Sequence, residues 1–235
     1  MMGDWINIDA GDGSGSFKSY MARPAGGKGP VVIAIQEIFG VNAGMRQICD
    51  ELAADGYIAL SPDLFWRQEA GVELTDKSDA EWQRAFALMQ GMDIDKGIED
   101  IATTIAAARR LEGASGKVGA TGYCLGGLLA YLTACRTGID ATVSYYGVNI
   151  DKFLIEATMM ETPLVLHIAG EDKFVSKEAQ ATIKSGLKDN PLVEVHIYDG
   201  KDHAFARPNG IHYDADAATL ANGRTKEFFA KHLKA

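Results

Sequence analysis

From residue 30 onward the chain alternates between two hydrophobic patterns. The segment "PVVIAIQ" (30–36) is a short continuous apolar run, typical of a strand buried on both faces. "YIALSPDLF" (57–65), "KVGATGY" (117–123), "DATVSYYG" (140–147), "TPLVLHIAG" (162–170) and "PLVEVHIYDG" (191–200) also read as strands. Between them lie stretches whose apolar residues recur every three or four positions, the period of a helix with one buried face. These predict helices over 42–57, 79–90, 97–113, 125–138, 176–190 and 216–233. Asn42 is placed as the N-cap of the first, with Gly56 just past its end. Ahead of these, "FKSYMARP" alternates loosely, as an early antiparallel strand does, between turn-rich "GDGSGS" (11–16) and "PAGGKGP" (24–30).

Alternating strands and helices predict an α/β fold: a mostly parallel central sheet with helices on both faces. The connections are short, and neither a linker nor an internal repeat is visible, so residues 1–235 are expected to form a single domain. One uncharged stretch, Val118 to Cys135, reaches the length of a membrane span. Gly119, Gly122, Gly126 and Gly127 interrupt it, and a strand, a turn and a buried helix account for it better.

Composition narrows the partners. Apolar residues make up 47 % of the 235, enough for a sizeable core, and the net charge is −9 with no basic tract. Nucleic acid is therefore an unsuitable partner, and an anionic substrate needs a local arginine to hold it against the overall field. Three cysteines without C-x-x-C spacing fit neither a disulfide framework nor a zinc site, and point to a reducing compartment. With no apolar signal segment in "MMGDWINID", the expectation is a cytoplasmic protein, away from membranes, monomeric or weakly dimeric.

In parallel sheets chemistry gathers where strands end. The residues after successive strands include Glu37, Cys124, Asp172, His203 and Arg207. Nucleophile, acid and histidine appear in the chain order of the α/β-hydrolases. Cys124 is the centre of G-x-C-x-G, "GYCLG", between a strand and a helix, and is expected to stand exposed on the turn. At a helix N-terminus the dipole favours a thiolate, and the amide of Leu125 faces a developing oxyanion. The second amide for that oxyanion is assigned to Ile38. His203 serves as base, and Asp172, two residues past its strand, orients it. Asp202 adjoins His203 in sequence, where a side chain rarely reaches the neighbouring ring. Cys49 and Cys135 fall among helical apolar residues and His167 and His196 within strands, as packing groups; His212 and His232 are read as surface residues. A metal reading of Asp202, His203, His212 and Asp214 lacks a recognised ligand spacing.

The blocks "QEIFGVN" (36–42), "GYCLGG" (122–127), "YYGV" (145–148), "EDKFV" (171–175) and "DHAFARP" (202–208) together resemble the dienelactone hydrolase family, in its order and over nearly the whole chain. The resemblance implies an α/β-hydrolase fold without cofactor or metal. Its implied reaction is the opening of a carboxylate-bearing enol-lactone, 4-carboxymethylenebut-2-en-4-olide, to maleylacetate. It implies that Cys124 is the nucleophile, His203 the base and Asp172 the orienting acid. Glu37 takes the thiol proton once substrate binds, and Arg207 clamps the substrate carboxylate. Tyr145 and residues of the 79–90 helix are the remaining substrate-binding candidates. The family carries a second carboxylate-binding arginine on that helix. Here Trp82 stands at that place, with Arg84 two residues on and so about 200° around the helix. A related lactone, a carboxylic ester or a thioester is the alternative substrate. A lactone-binding receptor and a redox-sensing thiol protein are the non-hydrolase alternatives.

Overall fold

The structure is a computed structural model, described over residues 3–234. Its strands belong to one eight-stranded sheet. The chain divides between Ala120 and Thr121 into two compact units.

The first unit starts with a hairpin of β1 (Asp4–Asp9), absent from the sequence reading, and β2 (Ser16–Ala22), the expected early antiparallel strand, joined through the glycine-rich turn. Its register sets Ile8 opposite Phe17, and these two with Ala10 nucleate a cluster that takes in Ile6, Trp66 and Ala107. β2 pairs antiparallel with β4 (Ile58–Pro62), and β4 pairs parallel with β3 (Gly29–Ile35). Every residue of β4, and every residue of β3 after Gly29, is buried, which explains the unbroken apolar run of β3. The connection between β3 and β4 is α1 (Ala43–Ala54), bounded as expected: Asn42 Oδ1 accepts the Met45 amide at 3.1 Å, and Gly56 has φ +93°. α2 (Asp79–Gln90) and α3 (Ile94–Ala108) follow. The latter begins three residues ahead of its predicted start, because Asp93 caps it by accepting the Lys96 amide.

β5 (Ala114–Tyr123) leads into the second unit. α4 (Leu125–Arg136) is buried at each position from Leu125 to Ala134, so the uncharged 118–135 segment is a core strand and core helix. Among the described residues no helix is long and apolar enough to cross a membrane. β6 (Ala141–Tyr145), β7 (Leu164–Ala169) and β8 (Val193–Tyr198) pair parallel in that order, with Tyr145, His167 and His196 in register across them. A 3-10 helix (Ile150–Met159), which the sequence reading did not contain, separates β6 from β7. α5 (Lys177–Leu187) connects β7 to β8, and α6 (Ala215–Leu233) closes the chain.

Candidate active site

Cys124 is the junction of β5 and α4. Its backbone, at φ 56° and ψ −115°, lies outside the regions that non-glycine residues normally occupy. Such strain persists only where its surroundings over-determine it, and here they do. The Cys124 amide donates to the Tyr145 carbonyl at 3.1 Å, and its carbonyl accepts from Gly127 and Leu128 at 2.9 and 3.2 Å. The flanking glycines allow the close packing that this requires. A Cβ on Gly122 would sit 1.9 Å from the Gly126 carbonyl oxygen, and one on Gly127 would sit 2.6 Å from Gly147 Cα. The thiol does not stand exposed, contrary to the expectation from the turn: Cys124 is 6 % accessible. The strand before it and the helix after it are both core elements, so the turn is sunk with them.

Asp172 and His203 come from the loops after β7 and β8. Asp172 Oδ2 lies 2.7 Å from His203 Nδ1, and its Oδ1 accepts the Phe174 amide at 2.8 Å. Both side chains are almost wholly buried. The carboxylate fixes the proton on Nδ1 and turns Nε2 the other way. Among the described residues Nε2 has no hydrogen bond of standard geometry, yet Cys124 acts electrostatically on the ring. Burial pulls the His203 pKa down, but the Cys124 charge, followed by the Asp172 hydrogen bond, outweighs it and raises the value from 6.5 to about 10. Asp202 makes a different contact. Its Oδ1 accepts the His203 backbone amide at 2.7 Å, and its Oδ2 approaches Lys173 at 3.2 Å and His212 at 3.5 Å.

The structure thus brings Cys124, Asp172 and His203 together and leaves Asp202 outside. Two aromatic neighbours of His203 went unremarked in the sequence. The Tyr146 ring meets it edge-on at 5.0 Å and the Phe174 ring at 4.8 Å. Tyr146 directly follows the end of β6 and Phe174 lies two residues past Asp172, the positional signal that could have found them. Arg207, half-buried, sits in the same loop as His203, one turn past Ala204, whose φ is +64°. Tyr145, expected to touch substrate, belongs instead to the core. It is 1 % exposed, its hydroxyl bonds Asn222 and Thr225, and its ring stacks on Tyr123.

The other candidates lie in the first unit. Glu37 and Ile38 follow β3 and are buried, at 5 % and 2 %. Trp82 packs edge-on against Phe39 at 5.0 Å, and its indole N–H donates to the Asp76 carbonyl at 3.1 Å. Arg84 is exposed and paired with Glu69. His167 is fully buried, as expected of a packing group, whereas His196 is half-buried beside Glu194. Cys49 is buried and Cys135 partly so.

A strained cysteine turn after β5, a buried acid after β7 and a histidine after β8 are the arrangement expected of a hydrolase, and similarity to known proteins agrees. The sequence model of the dienelactone hydrolase family matches residues 17–233. The chain belongs to the dienelactone hydrolase family. A protein of Azospirillum brasilense whose name puts it with the carboxymethylenebutenolidases is 50 % identical over 230 residues, 97 % of this chain and 98 % of that one. The carboxymethylenebutenolidase of Pseudomonas putida is 39 % identical, over 98 % of this chain and 97 % of its own. A Klebsiella pneumoniae crystal structure named for dienelactone hydrolase superposes with a TM-score of 0.84 at 25 % identity, covering 98 % of this chain and 99 % of that one. The fold is that of the α/β-hydrolases, and family membership makes the protein a hydrolase of the carboxymethylenebutenolidase type.

Proposed function

We propose that this hydrolase opens a carboxylate-bearing enol-lactone, of which 4-carboxymethylenebut-2-en-4-olide is the type, through a Cys124–His203–Asp172 triad. The Sγ thiolate of Cys124 attacks the ring carbonyl carbon. The amides of Leu125, at the N-terminus of α4, and of Ile38 receive the oxyanion. Collapse breaks the ring C–O bond, and the enolate oxygen leaves with the proton of the His203 imidazolium. A thioacyl-enzyme remains. His203, now neutral, takes a proton from water as it attacks the thioester. The acid departs, the thiolate is restored, and for the type substrate the enol tautomerises to maleylacetate. In line with the family resemblance, Glu37 accepts the thiol proton on substrate binding and Arg207 holds the substrate carboxylate.

The observation that carries this reading is the 2.7 Å contact between Asp172 and His203, with the charge of Cys124 raising the pKa of the same ring. A second reading, a broader esterase or thioesterase with the same triad, is favoured by the 79–90 helix. There Trp82 occupies the place of an arginine, and Arg84 already faces Glu69.

The test is turnover of lactones and esters, each with and without a free carboxylate, by the parent and by Cys124→Ala. The proposal expects preference for the carboxylate-bearing lactone and loss of all activity in Cys124→Ala. Equal kcat/KM across the panel selects the broader esterase. Retained activity in Cys124→Ala overturns the thiol mechanism.

A further inference from the structure

Behind the Cys124 turn lies a buried polar chain that the proposed reaction does not use. His167 on β7 is wholly inaccessible, yet both ring nitrogens are engaged. Nδ1 lies 2.9 Å from the Tyr198 hydroxyl, and Nε2 lies 3.0 Å from Thr225 Oγ1. The Tyr198 hydroxyl also accepts from Arg224 Nη1 at 3.1 Å. Thr225 Oγ1 lies 2.6 Å from the Tyr145 hydroxyl, which donates to Asn222 Oδ1 at 2.9 Å.

The proton inventory gives this chain one direction. Arginine can only donate, so the Tyr198 oxygen accepts and its single proton goes to His167 Nδ1. The ring is then the neutral Nε2–H tautomer and donates to Thr225. Tyr145 gives its proton to Asn222, so it must accept from Thr225. Each hydroxyl therefore donates once and accepts once, from the Arg224 cation to the Asn222 carbonyl. Aligned chains of this kind strengthen one another in a low-dielectric interior. An imidazolium at His167 would set a second donor against the Tyr198 oxygen.

The chain touches the candidate active site at two points. The Tyr145 carbonyl accepts the amide of Cys124, while the Tyr145 ring stacks on Tyr123 with centroids 4.8 Å apart. The His167 carbonyl accepts the amide of Tyr146 at 2.7 Å. Tyr146, held at φ 38°, sets its ring edge-on to His203. Both strained residues, Cys124 and Tyr146, thus bond to backbone that the buried chain holds. We propose that His167 is a positioning residue, the hub of a one-directional hydrogen-bond chain that sets the Cys124 turn and the His203 ring in register for acyl transfer. This inference rests on the thiol mechanism proposed above.

The ionisable groups against His167 are Tyr145 from β6, His196 and Tyr198 from β8, and Arg224 from α6. Burial, then the charges of His196 and Arg224, holds the ring neutral well below its ordinary value of 6.5.

The experiment compares Thr225→Val, which keeps the shape and removes the hydroxyl, with Thr225→Ser, which restores it, and with Tyr198→Phe, which cuts the chain elsewhere. Steady-state kinetics are normalised to folded protein. A misplaced reacting group costs rate more than affinity. The expectation is a kcat lower by about tenfold in Thr225→Val and Tyr198→Phe, KM within about twofold, and Thr225→Ser close to the parent. NMR of histidine-labelled protein should show His167 as the neutral Nε2–H tautomer at pH 6. The positioning role is overturned if Thr225→Val and Tyr198→Phe keep the parental kcat, if Thr225→Ser falls as far as Thr225→Val, or if His167 is an imidazolium at pH 6. Cys124→Ala separates the two levels. Activity there overturns the thiol mechanism itself, whereas an inactive Cys124→Ala beside a fully active Thr225→Val overturns the positioning role alone.

Discussion

At the scale of single residues, two acids compete for one histidine, and geometry separates them. Asp172 holds the imidazole nitrogen; Asp202 holds only the backbone amide of the same residue. Asp172→Asn replaces an acceptor by an amide that favours the wrong tautomer, so kcat should fall by about 10³-fold or more, against a few-fold for Asp202→Asn. Comparable losses in the two would remove the distinction. The sequence already favoured Asp172, because the position two residues past a strand is set by topology and needs no coordinates. It could not show that the site is buried, since burial of Cys124 depends on what packs around the turn. The histidine carries a pH signature as well. Its value rises from 6.5 in the unfolded chain to about 10. A raised value means that its contribution to stability is complete below 6.5 and is lost as pH climbs through about 10. The first group raising it is Cys124. In an NMR titration the His203 midpoint should therefore drop in Cys124→Ala; an unchanged midpoint would mean that Asp172 alone sets it.

At the scale of elements, the legible parts were those whose pattern is local. Asn42 and Gly56 mark the ends of α1 by chemistry that belongs to those residues alone, and β3 announces burial on both faces by its unbroken apolar run. β1 was not legible, because "DWINID" alternates weakly and gains its place only by pairing with β2. Nor was the 3-10 helix at Ile150–Met159, whose three residues per turn match neither the strand nor the α-helical period. Tyr145 was misread because a tyrosine at a strand end looks the same whether its hydroxyl meets substrate or Thr225. The β5–α4 turn is the element on which the site depends most. Gly122→Ala would drive a methyl to within 1.9 Å of the Gly126 carbonyl, a backbone atom that cannot swing aside. The strand and helix must then separate, at a cost of about 3 kcal/mol or more. Thermal denaturation should show a large fall in Tm, with kcat reduced in whatever protein stays folded. A parental Tm would mean that the two elements are not held as closely as described.

At the scale of the whole molecule, charge sets the terms on which an anionic substrate arrives. The chain carries a net −9, so a carboxylate-bearing lactone approaches against a repulsive field, whereas a neutral ester does not. Arg207 is the cation proposed to offset this locally, and short-range pairing is screened far less than the long-range field. Two opposing salt effects are therefore superimposed in the parent enzyme. Arg207→Ala removes the local one and leaves the repulsion. In that variant kcat/KM for the carboxylate-bearing lactone should be low at about 0.01 M ionic strength, where the Debye length is roughly 30 Å. It should climb several-fold toward about 0.15 M, where that length shrinks to roughly 8 Å. A neutral ester measured alongside should stay flat, since salt alters nothing in its approach. The parent should lose this rise, or reverse it, because salt also weakens the arginine's own hold. If the lactone is as insensitive to salt in Arg207→Ala as the ester, the field of the chain does not reach the site. If its kcat/KM instead declines with salt in that variant, a second cation holds the carboxylate, and Arg84 and its partner Glu69 become the next pair to substitute.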